Sequence, residues 1–181
     1  MNIKFLNPFL EAAAEVLEAE VDLTATRGSL SLQKSALSAT EITVLISIIG
    51  QVQGVVLYGM SAATGMAIVS RIIGQEFSEF DGLAQSGIGE LGNVISGRAA
   101  IKLSQAGYET TISPPTLIIG KGAQISTLDF SRIVVPLDTR LGQMVIHLAV
   151  REAVEYQTVN ALPLNSAEYI SATVRGEMNQ Q

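Results

Sequence analysis

The chain has no cysteine and no tryptophan, and it has one histidine. Without cysteine it forms no disulfide, holds no thiolate-ligated zinc and uses no thiol nucleophile, which suits a reducing cytosol. Basic residues are scarce as well: eleven Lys and Arg stand against seventeen Asp and Glu, a net charge of −6. Nucleic-acid backbones and anionic membrane surfaces select clustered cations, so neither is expected as a partner. No apolar run approaches the ~20 residues of a membrane span. Asn7, Glu11 and Glu15 interrupt the first apolar stretch, unlike a secretory signal. A cytoplasmic location is therefore expected.

What is present is a core. Hydrophobic residues make up 48 % of the 181 positions, enough for one packed domain. The domain is expected over 1–154. The more polar remainder, 155–181, is expected as an extra helix or a flexible tail.

Phe9, Ala12, Ala13, Val16 and Leu17 recur at helical spacing, with Asn7 as the expected cap and Pro8 in the first turn. This helix is expected to end near Glu20. A weak strand at 27–32 precedes two strong ones, 41–49 and 52–60, which turn about Gly50-Gln51. Ser61 caps an expected helix over 62–73 that Gly74 closes. Ser78 and Asp81 have capping-box spacing and open a third helix that should run to about Gln105. Thr110 to Gly120 reads as an edge strand broken at Ser113-Pro114-Pro115. Strands over 131–137 and 143–152 follow. Strands in two sets around a helical pair predict an α+β fold, not alternating βαβ units.

The third helix carries the most informative segment, Ser86-Gly87-Ile88-Gly89-Glu90-Leu91-Gly92-Asn93-Val94-Ile95-Ser96-Gly97. At 100° per residue, Ser86, Glu90, Asn93 and Gly97 fall within an arc of roughly 60°. Leu83, Ile88, Leu91, Val94 and Ile95 are assigned to the opposite, sheet-packed side. A carboxylate and a carboxamide thus share an exposed stripe one turn apart. Glycines at 87, 89, 92 and 97 each cost about 1 kcal/mol relative to Ala in a helix interior, so close approach of another backbone is their expected reason. Arg98 and Lys102 point toward the apolar arc, where they should snorkel or mark a bend.

This segment resembles the signature of the CheC/CheX/FliY phosphatases: Asp or Ser, three residues, Glu, two residues, Asn. Ser86, Glu90 and Asn93 match each position, Gly97 follows where that family usually has glycine, and Ser113-Pro114-Pro115 resembles the segment after the motif helix. The opening Asn7-Pro8-Phe9-Leu10-Glu11-Ala12 and the single motif resemble CheX in particular. The likeness spans about residues 5–152. It implies a CheX-like, mostly antiparallel sheet with the long motif helix and its companions packed on one face. It implies removal of the phosphoryl group from the aspartate of a CheY-type receiver domain in chemotaxis or related two-component signalling. Asn93 would orient the attacking water, Glu90 would pair with the receiver's lysine, and Ser86 and Gly97 would support the motif or the interface. The chain would bind no cofactor, Mg²⁺ residing on the receiver, and would form a homodimer through edge strands. The alternative on the same fold is a non-catalytic module that docks on a receiver or a flagellar-switch component.

Gly87 to Gly92 also spells G-x-G-x-x-G, but a dinucleotide site needs a strand before it and a helix starting at the glycines. Residues 79–85 do not read as that strand. Gly120-Lys121-Gly122 lacks the rest of a P-loop and reads as a turn. His147 is expected as a solvated or hydrogen-bonded structural residue on the strand face opposite Ile146 and Leu148.

Overall fold

The computed structural model describes residues 3–34, 36–126 and 131–153. The expected extension over 155–181, and the domain boundary at 154, lie outside the described residues.

A 3-10 turn (Ile3–Phe5) leads into α1 (Leu6–Val21). Short strands β1 (Thr26–Arg27), β2 (Ser31–Gln33) and β3 (Leu37–Ser38) precede the hairpin of β4 (Ile42–Gly50) and β5 (Val52–Met60). The helices α2 (Ala62–Ile73) and α3 (Gly82–Gln105) come next. The chain then returns through β6 (Thr110–Ile112), β7 (Thr116–Ile119), β8 (Gln124–Ile125), β9 (Arg132–Thr139) and β10 (Gly142–Glu152). The main sheet runs in the order β1-β9-β10-β5-β4-β6, with β2 also on β9 and β7 also on β4. Every pairing among the described residues is antiparallel. This is the α+β architecture that the element order predicts.

Alternation along the strands decides which face receives the helices. Ile42, Val44, Ile46 and Ile48 of β4 point to one side, with Val56 and Tyr58 of β5, Met144, Ile146 and Leu148 of β10, and Ile133 and Val135 of β9. They form one buried cluster with Phe9, Val16 and Leu17 of α1, Ile68 and Val69 of α2, and Ile88, Leu91 and Ile95 of α3. A slip of one residue in any of these registers would turn that strand's apolar set away from the helices, so the core fixes the pairing.

The prolines do break the edge strand. Ser113 N–H donates to Ser47 O, and Ser47 N–H donates to Ser113 Oγ, both at 3.0 Å. A side-chain oxygen thus stands in for the backbone acceptor where the ladder stops.

Three boundaries differ from the sequence reading. α1 begins before Asn7: Phe5 occupies the cap position without a side-chain hydrogen bond, and Pro8 sits in the first turn, where no intrahelical acceptor awaits its missing N–H. α3 begins after Asp81, not Ser78, because the Asp81 Oδ1 accepts from both Leu83 N–H (3.0 Å) and Ala84 N–H (2.9 Å). The weak strand at 27–32 is two short strands, both paired to β9. α2 forms as expected, Ser61 Oγ accepting from Thr64 N–H at 3.0 Å and Gly74 closing it in the left-handed conformation (φ 77°).

Candidate functional site

α3 is long, about 36 Å at 1.5 Å per residue, and it is held from several sides. Ala84, Ile88, Leu91, Ile95, Ala99 and Leu103 bury into the core. Ser96, fully buried, shares a 2.9 Å hydrogen bond with the Tyr58 hydroxyl of β5. Burial raises the Tyr58 phenol well above its ordinary range, so it remains a neutral hydrogen-bonding group. On the other flank Lys102 bridges Glu15 (2.7 Å) and Glu11 (3.3 Å) of α1, and Arg98 meets Glu15 at 3.4 Å. The two cations that disturbed the helical wheel therefore lie in the α1–α3 seam. The Lys102 hydrogen bond to Glu15 raises the lysine's pKa and lowers the carboxylate's.

On the solvent side the motif residues come together as the spacing predicts. Ser86 and Glu90 are exposed, and Asn93 and Gly97 partly so. Asn93 Nδ2 donates to Glu90 Oε2 at 3.3 Å. Ser86 Oγ donates to Gly82 O at 2.9 Å, one turn back on its own helix, so its proton is engaged locally. Glu90 stands on a ridge between two grooves. One, of about 240 Å³, is lined by Val16, Glu20, Ile72, Gly87, Leu91 and Val94. The other, of about 410 Å³, is lined by Gly82, Gln85, Ser86, Gly89, Pro115 and Leu117. The stripe is convex.

The glycines divide into two kinds. A Cβ on Gly87 would meet Val69 Cγ2 at 2.4 Å, and one on Gly92 would meet Val44 Cγ1 at 2.9 Å. These two let α3 close on side chains of α2 and of the sheet, and not on another backbone as expected. At Gly89 and Gly97 the nearest atoms, Pro115 Cγ and Ile112 Cδ1, would be 3.8 and 3.9 Å away, ordinary contact. The fold itself does not demand glycine at those two positions.

The G-x-G-x-x-G segment lies inside α3, more than a turn past its start, and a loop, not a strand, precedes the helix. The pyrophosphate geometry is therefore absent, and the dinucleotide reading fails. Lys121 pairs with Glu41 at 2.9 Å in a turn. His147 is neither solvated nor fully hydrogen-bonded: it is 6 % exposed and its Nδ1 has no hydrogen-bond partner. Burial, with the nearby Arg132 charge, pushes its pKa down to about 4. No group of three or more His, Asp and Glu able to hold a metal occurs among the described residues.

Leu83 corrects the helical-wheel reading. It is 51 % exposed, on the solvent side of α3 and not against the sheet. Ile101, outside the motif, is 61 % exposed. Their angular positions, within about 60° of Ser86, were the available signal.

A family model described as Chemotaxis phosphatase CheX matches residues 42–138. The CheY-P phosphatase CheX of Thermotoga maritima is 29 % identical over 128 residues, 70 % of this chain and 83 % of that protein. A CheC-like superfamily protein from Shewanella sp. PV-4 superposes with a TM-score of 0.76 at 27 % identity, covering 83 % of this chain and 99 % of that one. The CheX-CheY-BeF3-Mg²⁺ complex from Borrelia burgdorferi contains a chain with a TM-score of 0.72 at 25 % identity, covering 83 % and 100 %.

Proposed function

The chain belongs to the Chemotaxis phosphatase CheX family, and on that premise we propose that Asn93 and Glu90 form the working pair of a phosphatase acting on the aspartyl phosphate of a CheY-type receiver domain. The observation that carries the assignment is the pair itself: a carboxamide and a carboxylate, 3.3 Å apart, on the exposed ridge of a rigidly packed helix.

Phosphoryl transfer asks mainly for positioning and charge stabilisation. Water attacks phosphorus in line, the phosphorus–oxygen bond to the aspartate breaks, the carboxylate leaves with the bonding pair, and the water's proton ends on inorganic phosphate. An amide can accept from the attacking water and donate to a phosphoryl oxygen at once, which suits Asn93. It does not titrate, so it acts by orientation and not as a general base. Glu90 supplies the one full negative charge on the stripe and would pair with a cation at the rim of the receiver's site. That contact aligns the two proteins. Ser86, whose proton is held by Gly82 O, supports the helix, and Gly97 leaves room for the partner's backbone.

The complex of the Borrelia burgdorferi relative with CheY, BeF3 and Mg²⁺ supports a receiver as partner. We assign the Mg²⁺ to the receiver and no cofactor to this chain. We place the reaction in the cytoplasm; among the described residues no helix is long and apolar enough to cross a membrane. We also propose a homodimer through edge strands. Leu32 of β2 and Leu30 beside it are exposed at one edge of the sheet, which supports that reading. A monomer by light scattering at micromolar concentration would rule the dimer out.

The test of function is release of inorganic phosphate from a phosphorylated CheY-type receiver of the same source. Acceleration at substoichiometric amounts is expected. Binding without acceleration on every receiver tried would favour the docking-module alternative.

A further inference from the structure

The exposed face of α3 does not end with the motif. At 100° per residue, Leu83, Ser86, Glu90, Asn93, Gly97 and Ile101 fall within an arc of about 80°. Leu83 and Ile101 share one angular position at the edge of that arc, eighteen residues apart in sequence and so about 27 Å apart along the axis. Both are more than half exposed, whereas Ile88, Leu91, Ile95 and Leu103 of the same helix are buried. Between them the stripe is polar or small.

We propose that Leu83 and Ile101 are the apolar anchors by which the receiver is held along the whole length of α3, on either side of the residues that reach its phosphoaspartate. The inference rests on the reading of this stripe as the phosphatase site, and it extends that site from a point to a line. A single exposed Leu or Ile needs no explanation. Two of them at one angular position, about 20° from Glu90 and one to each side of it along the axis, on a helix whose other large apolar side chains are buried or, for Val94, partly buried, match the water-excluding surround of a polar contact. Lys, Gln or Glu at either position would keep the helix as stable and raise solubility, so own-fold stability does not call for these residues. The occupant is the receiver because the anchors are continuous with the groups that must enter its active site. It should present an apolar patch on each side of the phosphoaspartate pocket.

The test compares wild type, Leu83→Ser, Ile101→Ser and the double variant, all in the full chain, with a phosphorylated CheY-type receiver as substrate. Each single change should raise KM about fivefold, and the pair more, as half-exposed side chains lose their burial on docking. Turnover at saturation should stay within about twofold, since neither residue touches the reacting atoms. Thermal melting should fall by no more than a few degrees, about the helix-propensity cost of Ser. An active wild type with an unaltered KM in the double variant overturns the anchor assignment and leaves the phosphatase reading intact. A wild type inactive on every phosphorylated receiver sinks the phosphatase reading and the anchors with it. If the double variant changes the association state of the chain alone while KM holds, the stripe is a contact between copies, and the anchor assignment is wrong.

Discussion

Asn93 donates its side-chain amide to the Glu90 carboxylate at 3.3 Å, across one turn of α3, in a hydrogen bond open to solvent. Such an exposed contact contributes little to stability, and Asn is a weaker helix former than Ala by several tenths of a kcal/mol. Asn93→Ala should therefore leave the fold as stable as wild type or raise stability by about 0.5 kcal/mol in urea unfolding. A loss of more than about 1 kcal/mol would show that the pair is structural.

The two kinds of glycine should respond in opposite senses. Gly92→Ala drives a Cβ to within 2.9 Å of Val44 Cγ1 and should destabilise the protein by about 1–3 kcal/mol through overpacking. Gly97→Ala meets nothing closer than 3.9 Å and should stabilise by up to about 1 kcal/mol while weakening receiver binding. Urea midpoints and a receiver titration on the same samples check both. Equal stability losses at the two sites would refute the distinction.

The buried Tyr58–Ser96 hydrogen bond ties the motif helix to β5. Removing either hydroxyl strands the other in the core, so Tyr58→Phe and Ser96→Ala should each cost about 1–3 kcal/mol. The double variant should cost less than the sum, because neither unpaired group remains. Strict additivity in a double-mutant cycle would mean that the two hydroxyls do not depend on each other.

His147 predicts a pH dependence. Its folded pKa, about 4, lies below the ordinary 6.5. The unfolded chain therefore binds a proton that the folded one refuses between those values. Stability is present in full above about pH 6.5 and falls as pH drops toward 4, by up to about 1.4 kcal/mol per unit. His147→Gln should flatten the slope between pH 6.5 and 5, above the range where the lowered carboxylates Glu15 and Glu41 contribute. An unchanged slope in that window would contradict the buried, neutral assignment.

Much of this molecule could be read from local rules. Ser61 and Gly74 bound α2 because a cap side chain and a left-handed glycine act within one turn of their own helix. The motif stripe was legible for the same reason, since angular position on a helix follows from spacing. Leu83 shows where residue type misled: its angle placed it near Ser86, and apolar character wrongly assigned it inward. The start of α3 turned on whether Ser78 or Asp81 reached the free N–H groups, which composition does not decide. Arg98 and Lys102 could not be placed at all without α1, whose Glu11 and Glu15 are more than eighty residues away in sequence. The buried state of His147 likewise depends on tertiary packing that its spacing along β10 does not reveal.

In the proposed reaction Asn93 positions water for attack on a phosphoaspartate. The most direct test of that role is the decay of a radiolabelled phosphoreceiver with saturating wild type or Asn93→Ala, with binding of each to the receiver measured in parallel. Asn93→Ala should bind within a few-fold of wild type yet hydrolyse at least about 100-fold more slowly, the scale of losing a preorganised transition-state contact. An Asn93→Ala protein that binds normally and hydrolyses at the wild-type rate would contradict that role.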